Sequence, residues 1–196
     1  KAPEYSVLLI EKGRDIYKRS CPILKKTLSK CPPPNKQREF ASCTPACSIT
    51  NGFGGAGAYS DGKFNITTEF GGWLTEYLPP SEVLSLIKYV DSINLKHGAT
   101  SALTNPDTPK VKEIEKKALG AGLKLLRAQV RHLGTELNLE ILKDIFQFLT
   151  GKIDMIFETA VADIITEEAE GQLRVKGVRT SQGEEYYAPK VVVVPG

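Results

Sequence analysis

Residues 51–64, NGFGGAGAYSDGKF, carry two overlapping glycine patterns that are typical of nucleotide-binding loops. Gly52, Gly54 and Gly57 have the G-x-G-x-x-G spacing of a dinucleotide-binding turn, in which small residues let the backbone approach a pyrophosphate. The segment GAYSDGK, which ends at Lys63, matches most of the G-x-x-x-x-G-K pattern of a nucleoside triphosphatase loop. One loop cannot fulfil both roles, so the surrounding sequence has to decide between them.

Neither pattern has the sequence context that its function requires. A triphosphatase loop needs a serine or threonine after the lysine to hold magnesium, and this chain has Phe64 there. A dinucleotide-binding turn is followed about 20 residues later by a carboxylate that holds the ribose. Gly71 and Gly72 occupy that region instead. We therefore expect the loop to serve a nucleotide in neither of these usual ways.

A carboxylate suited to a dinucleotide site lies upstream of the loop, at Glu11. It closes the apolar run VLLI, and in dinucleotide-binding folds the carboxylate at the end of the second strand accepts hydrogen bonds from the adenosine ribose. A surface glutamate at a strand end is the alternative interpretation. If Glu11 holds a ribose, a first strand and its glycine turn, roughly 30 residues, are expected before Lys1.

The four cysteines lie ahead of the glycine loop with the spacing C-x9-C-x11-C-x3-C. Zinc sites usually present two close pairs and iron–sulfur sites a close triple, whereas only the last two cysteines are close here. Three interpretations stay open: free or structural thiols, one or two disulfides, and a metal or cluster held by all four thiolates. The four are Cys21, Cys31, Cys43 and Cys47. The two histidines exclude a histidine-rich metal site, and no Ser/His/Asp or Cys/His triad is apparent.

Hydrophobic periodicity predicts the elements that position these residues. Residues 81–95 and 135–150 each carry an apolar stripe at helical spacing, and Gly151 ends the second helix. Residues 110–125 repeat that pattern more weakly, and residues 126–134 are predicted to contain a short strand.

After the second helix the hydrophobic period changes to two, which predicts a three-stranded β-meander from the segments IDMIFETAVADI, QLRVKGVRT and EEYYAPKVVVV. Residues 6–11 and 190–194 are continuous apolar runs, which are typical of strands buried on both faces of a parallel sheet. A chain that opens and closes on such strands is predicted to be part of a larger α/β fold with an inserted, mainly helical region.

Composition limits the classes of function. The 196 residues are 41% hydrophobic and 25% charged, as in an ordinary globular protein, and the net charge of +3 is too small to indicate nucleic-acid binding. The longest apolar runs are strand-sized, which predicts no membrane association, and no signal peptide is visible. We expect a cytoplasmic protein, whose oligomeric state the sequence does not indicate.

Four segments in order resemble the FAD-dependent dehydrogenases of the glutathione-reductase-like FAD-binding class. They are VLLIEKGRDIYKRSCP, CSITNGFGGAGAYSDGKFNITTEFGG, QVRHLGTELNLEIL and KVVVVPG, and they cover nearly the whole chain. The resemblance implies a NAD(P)/FAD-dependent oxidoreductase in which flavin transfers a hydride or electrons to or from a small-molecule substrate. FAD is the expected cofactor and NAD(P)H a candidate electron donor. In that family a fingerprint turn precedes Glu11 and the chain continues past Gly196.

The implied fold is a partial Rossmann-like FAD/NAD(P)-binding domain with a β-meander. Residues 1–64 would form its first part, residues 65–130 an inserted helical cap and residues 131–196 its second part. A non-enzymatic α/β interaction module, clipped by its cysteines and able to bind metal, is the alternative.

The resemblance also assigns roles to individual residues. Glu11 would hold the adenosine ribose, Arg19 would reach the pyrophosphate, and the backbone of Val161 would meet the adenine. The remaining implied cofactor contacts are the glycine segment that lets backbone approach the flavin or pyrophosphate, the polar residues after it and the end of a returning strand: Gly54, Gly55, Ala56, Gly57, Ser60, Asp61, Lys63 and Gly196. Arg131 and His132 are predicted to face the substrate, with surface pairing or capping as the alternative.

Overall fold

The computed structural model describes residues 5–194, and that part of the chain is a mixed α/β protein with three α-helices and three small sheets. The helices are α1 (Pro80–Lys96), α2 (Pro109–Gly120) and α3 (Thr135–Leu149). The strands are β1 (Leu8–Ile10), β2 (Lys63–Ile66), β3 (Gln129–His132), β4 (Asp154–Ile156), β5 (Val161–Ala169), β6 (Gln172–Thr180) and β7 (Glu185–Tyr187). The predicted helices and the short strand before α3 are confirmed.

The contacts of the chain divide it into two compact units. The first unit comprises the described residues of 1–58 and 142–196, and the second is Tyr59–Ile141. The observed divisions therefore fall at residues 58 and 141, whereas the sequence-based segments end at residues 64 and 130. The assignment of the first unit to a FAD-binding domain stays a prediction.

A parallel strand pair organises the first unit. Strands β1 and β4 pair with Leu8 opposite Asp154 and Ile10 opposite Ile156. The ladder continues past the strands, because the Glu11 backbone N–H donates to the Ile156 carbonyl at 2.9 Å. Parallel strands need a long crossover between them, and here the chain between β1 and β4 includes the whole second unit.

An aromatic cluster forms part of the first unit's core. Phe53, in the glycine-rich stretch, packs edge-on against Phe146 of α3 with ring centroids 5.1 Å apart. Phe146 also contacts Phe157, at 6.0 Å, and Tyr17, at 5.6 Å. Edge-to-face aromatic pairs add about 0.5–1.5 kcal/mol beyond the area that they bury. The cluster therefore fixes the glycine-rich stretch against α3.

A three-stranded meander is confirmed in the first unit as an antiparallel sheet in the order β5-β6-β7. The predicted first strand is split between β4, which pairs with β1 instead, and β5, and only Glu185–Tyr187 of the predicted third strand forms a strand. In the second unit, β2 and β3 form an antiparallel pair. Helix α2 begins where the Thr108 hydroxyl accepts a hydrogen bond from the Val111 backbone N–H at 3.3 Å, and Pro109 occupies the first turn.

The expectation of two strands buried on both faces was wrong. Strand β1 has three residues, of which Leu8 is exposed, and residues 190–194 form no strand. The side chains of Val192 and Val194 are 83% and 85% exposed. A strand is buried on both faces only when other elements cover both, and within residues 5–194 Val192, Val193 and Val194 are left exposed. Strand β2 was missed, because the segment KFNI is short and only half apolar.

None of the helices in the described range combines the length and the apolar character needed to cross a bilayer.

Candidate functional site

The carboxylate of Glu11 ties the end of β1 to the glycine-rich stretch. Its Oε1 atom accepts hydrogen bonds from the backbone N–H of Gly13, at 2.7 Å, and of Gly52, at 3.0 Å. Bonds from backbone N–H groups to a carboxylate are charge-assisted and stronger than neutral ones. Glu11 is half-buried at the carboxyl end of a parallel strand. Because both hydrogen bonds end on one carboxylate oxygen, the side chain holds the turns at Gly13 and Gly52 together.

Gly13 and Gly52 meet at a distance that only glycine tolerates. A Cβ atom added to Gly13 would lie 2.4 Å from the Gly52 nitrogen. One added to Gly52, whose φ is +113°, would lie 2.6 Å from the Arg14 carbonyl oxygen. The sequence patterns singled out Gly52 but missed Gly13. The signal available for Gly13 was its place directly after the strand, in the turn EKGRD.

Arg19 fastens the same stretch from inside. It is buried, and its guanidinium donates to the carbonyls of Ser48 at 2.9 Å, Ile49 at 3.0 Å and Phe53 at 2.7 Å. A fourth hydrogen bond holds the same stretch, because the Arg14 carbonyl accepts from the Phe53 backbone N–H at 2.9 Å. These contacts favour a loop-holding role for Arg19 over the pyrophosphate contact that the resemblance implies.

The next part of the stretch is open. A Cβ atom added to Gly54 would meet the side chain of Leu142 at 2.8 Å, but one added to Gly55 or Gly57 would meet nothing within 4 Å. Gly55 has φ +58° and is half-buried, whereas Ala56 and Gly57 are exposed. Residues 55–57 therefore present accessible, nearly side-chain-free backbone; we call them the open segment.

Val161 lies at the same end of the parallel pair as Glu11. The Thr159 backbone N–H donates to the Glu11 carbonyl at 3.1 Å, and two residues later Val161 begins β5, in register with Thr180. The structure therefore brings together Glu11, the turn at Gly52 and the start of the meander. Gly196 lies outside the described residues.

The polar residues after the open segment belong to the second unit. Lys63 Nζ lies 2.7 Å from Asp61 Oδ2, and β2–β3 pairing sets Lys63 opposite His132. The Lys63 hydrogen bond and charge, with a smaller effect of His132, lower the pKa of the Asp61 carboxyl below its ordinary value. Ser60 Oγ accepts from the Gly62 backbone N–H at 3.2 Å. Asp61, Lys63 and His132 form an exposed polar cluster.

Arg131 points away from that cluster into the second unit's interior. Its Nε and Nη2 atoms donate to the two Asp91 carboxylate oxygens at 2.6 Å and 2.7 Å, and Nη1 donates to the carbonyls of Thr100 and Ala102. Hydrogen bonding to Asp91 raises the pKa of Arg131. Adjacent strand residues face opposite ways, so the predicted pair is split: Arg131 anchors α1 to β3, and His132 is exposed.

All four cysteine thiols are free in this structure. Within residues 5–194, no group of three or more His, Cys, Asp or Glu side chains is arranged to hold a metal ion. Cys43 and Cys47 line one open cavity of about 460 Å³, together with Lys12, Gln37, Thr44, Pro45, Ala46 and Asn51.

No protein-family model matches the chain, and no curated protein sequence matches it significantly.

Proposed function

We propose that this chain is part of a cytoplasmic FAD-dependent oxidoreductase and that its first unit, as a partial Rossmann-like domain, contacts the adenosine half of FAD. The observation that carries the proposal is the position of Glu11. Its half-buried carboxylate lies at the carboxyl end of a parallel strand. Ligands of parallel α/β sheets bind outside the carboxyl ends of the strands, where an acidic residue takes the ribose hydroxyls of a dinucleotide.

The hydrogen bonds of Glu11 leave capacity for a ribose. A carboxylate has about four acceptor positions. Gly13 and Gly52 donate to Oε1, and no donor among residues 5–194 is recorded for Oε2. The two backbone bonds also fix the orientation of the carboxylate. Glu11 therefore fits a ribose contact while it holds the turn.

The open segment fits the approach of a flat ring or a diphosphate. At Gly55 and Gly57 no neighbouring atom occupies the space that a side chain would fill, so a ligand can lie against the backbone there. Arg19 fits a phosphate contact poorly, because three of its donors are directed at backbone carbonyls. The proposal therefore gives Arg19 the task of holding the turn beside the cofactor.

When bound, FAD supplies the hydride or electron transfer itself, with NAD(P)H as the proposed donor and a small molecule as substrate. The residues of this chain bind and orient it: Glu11 the ribose, the backbone near Val161 the adenine and the open segment the diphosphate or the flavin ring. Ser60, Asp61 and Lys63 belong to the second unit, and their implied cofactor contact stays a prediction.

Binding of FAD and of flavin mononucleotide by the 196-residue chain tests the proposal. The two ligands share the flavin and one phosphate, and only FAD carries adenosine. We expect saturable quenching of flavin fluorescence with at least about tenfold tighter binding of FAD, since one ribose contact of about 1.4 kcal/mol gives that factor. Equal affinities for FAD and flavin mononucleotide would contradict the proposal.

A further inference from the structure

Cys43 and Cys47 share a cavity whose chemistry the flavin proposal does not use. Both residues line the same open space of about 460 Å³, and Lys12 lines it as well. The cavity thus combines two sulfur nucleophiles with one positive group, and it is large enough to admit a small organic molecule.

The surroundings of Cys47 favour its thiolate. The side chain is exposed and lies at the start of a turn, in which the Asn51 backbone N–H donates to the Cys47 carbonyl at 2.9 Å. Partial burial by itself raises the pKa of the Cys47 thiol. Hydrogen bonds from the Ile49 and Thr50 backbone N–H groups, from the Thr50 side chain, and the charge of Arg19 outweigh that effect and lower the pKa. The thiolate is the form of cysteine that attacks disulfides.

Arg19 has this effect because of its place in the fold. Its guanidinium is buried and donates to the carbonyls of Ser48 and Ile49, the two residues after Cys47. The positive charge is therefore held beneath the turn that carries the thiol. Cys31 is also exposed, but it does not line this cavity, and it provides an internal comparison for exposure alone.

We propose that Cys47 and Cys43 form a thiol–disulfide exchange site for small anionic disulfides. The Cys47 thiolate attacks one sulfur of the disulfide, a mixed disulfide forms on Cys47, and the other half leaves as a thiolate that takes a proton from water. The Cys43 thiolate then attacks the Cys47 sulfur, which forms the Cys43–Cys47 disulfide and releases the second half. Two protein thiols are oxidised, and one external disulfide is reduced to two thiols.

The probe for the first step is 5,5′-dithiobis(2-nitrobenzoate), an anionic disulfide, with neutral 4,4′-dithiodipyridine as its control. A thiol whose pKa is lowered reacts faster at neutral pH, because the larger thiolate fraction outweighs the lower nucleophilicity. We expect peptide mapping of the Cys43→Ser variant to show that the anionic probe reacts faster with Cys47 than with Cys31. Equal rates at the two cysteines would overturn the site.

Substitutions separate the parts of the proposal. Lys12→Gln should slow the anionic probe at least about twofold and leave the neutral probe unchanged, whereas Lys25→Gln, at an exposed position outside the cavity, should affect neither. Wild type should end with an internal disulfide and no adduct, and Cys43→Ser should retain one nitrobenzoate on Cys47. A stable adduct on Cys47 in wild type would overturn the second step, and equal effects of Lys12→Gln on both probes would overturn the anion preference.

Discussion

The glycine-rich stretch has two halves whose glycines serve different physical purposes. In the first half, residues 52–54, which we call the closed half, Gly52 is enclosed by the backbone of Gly13 and Arg14, and a Cβ atom there would come within 2.6 Å of a carbonyl oxygen. In the open segment, a Cβ atom at Gly55 or Gly57 would meet nothing within 4 Å. A glycine pattern read from sequence therefore mixes positions needed for packing with positions that leave backbone accessible. Within the glycine-rich stretch, only the open segment is a candidate for ligand contact.

The largest expected effect on the free energy of unfolding comes from removing the Arg19 hydrogen bonds that hold the closed half. Arg19→Met keeps the length of the side chain but leaves the buried carbonyls of Ser48 and Phe53 and the half-buried carbonyl of Ile49 without their donor. We expect a loss of about 4 kcal/mol or more, because each unsatisfied buried group costs about 1–3 kcal/mol. The thermal midpoint should fall by roughly 8–16 °C in a chain of this size.

The neighbouring Lys18→Met provides the control for Arg19→Met. Lys18 is exposed, and its buried partner Asp15 keeps the hydrogen bonds from the Tyr17 and Lys18 backbone N–H groups when the ammonium is removed, so we expect Lys18→Met to cost only about 1 kcal/mol. If the two variants have the same thermal midpoint in a calorimeter, Arg19 does not hold the glycine-rich stretch, and the distinction between its two halves weakens.

The next effect compares equal substitutions in the two halves. Gly52 and Gly55 both have positive φ, so Ala at either position is strained, at a cost of about 1–2 kcal/mol. Only Gly52→Ala adds a clash with backbone. We expect Gly52→Ala to cost about 3 kcal/mol or more and Gly55→Ala about 1–2 kcal/mol in denaturant unfolding. Equal costs would show that the halves do not differ in packing.

A binding effect follows in the open segment. Gly57 has no positive φ, and a Cβ atom added to it would meet nothing within 4 Å, so Gly57→Val should fold normally and fill the space proposed for the ligand. We expect FAD affinity to fall about tenfold or more, with the thermal midpoint unchanged within about 3 °C. Gly55→Val should weaken FAD binding similarly. Gly122→Val is the control for backbone strain alone, because Gly122 also has a positive φ but lies in the second unit. Full FAD affinity in Gly57→Val would make the open segment a surface without function.

The smallest effect lies in the exposed polar cluster that follows. Lys63 lowers the pKa of Asp61, so the ionised carboxylate contributes stability above its unfolded-state pKa, and that contribution is lost as the pH falls through the lowered folded-state pKa. Lys63→Met should move the Asp61 pKa upward toward its ordinary value in an NMR titration. Lys88→Met, at an exposed position of the same unit, should leave it in place. An unchanged Asp61 pKa in Lys63→Met would show that the pair does not form in solution.

The sequence predicted elements whose signal is periodic and local. The helices α1 and α3 and the meander follow from an apolar stripe or an alternation that extends over many residues. The expected burial of residues 190–194 failed, because burial depends on which other elements cover a run and not on the run itself.

Among the candidate site residues, the sequence indicated types of side chain but not their partners. Arg19 and Arg131 carry the positive charge that suits a phosphate or a substrate, yet both are buried against carbonyls or a carboxylate. Asp91 and Gly13 were missed because their partners lie about 40 residues away along the chain. Glu11 was identified by its place after an apolar strand, and the structure adds that it organises the closed half.

The most direct test of the central claim is FAD binding by Glu11→Gln. Glutamine retains an oxygen that accepts from Gly13 and Gly52, so the closed half stays held while the negative charge toward the ribose is removed. We predict that FAD affinity falls at least about tenfold, that flavin mononucleotide binds as it does to wild type, and that the thermal midpoint falls by roughly 4–8 °C because two charge-assisted bonds each weaken by about 1 kcal/mol. Equal weakening of both flavins, or unchanged binding of FAD, would contradict a ribose contact at Glu11.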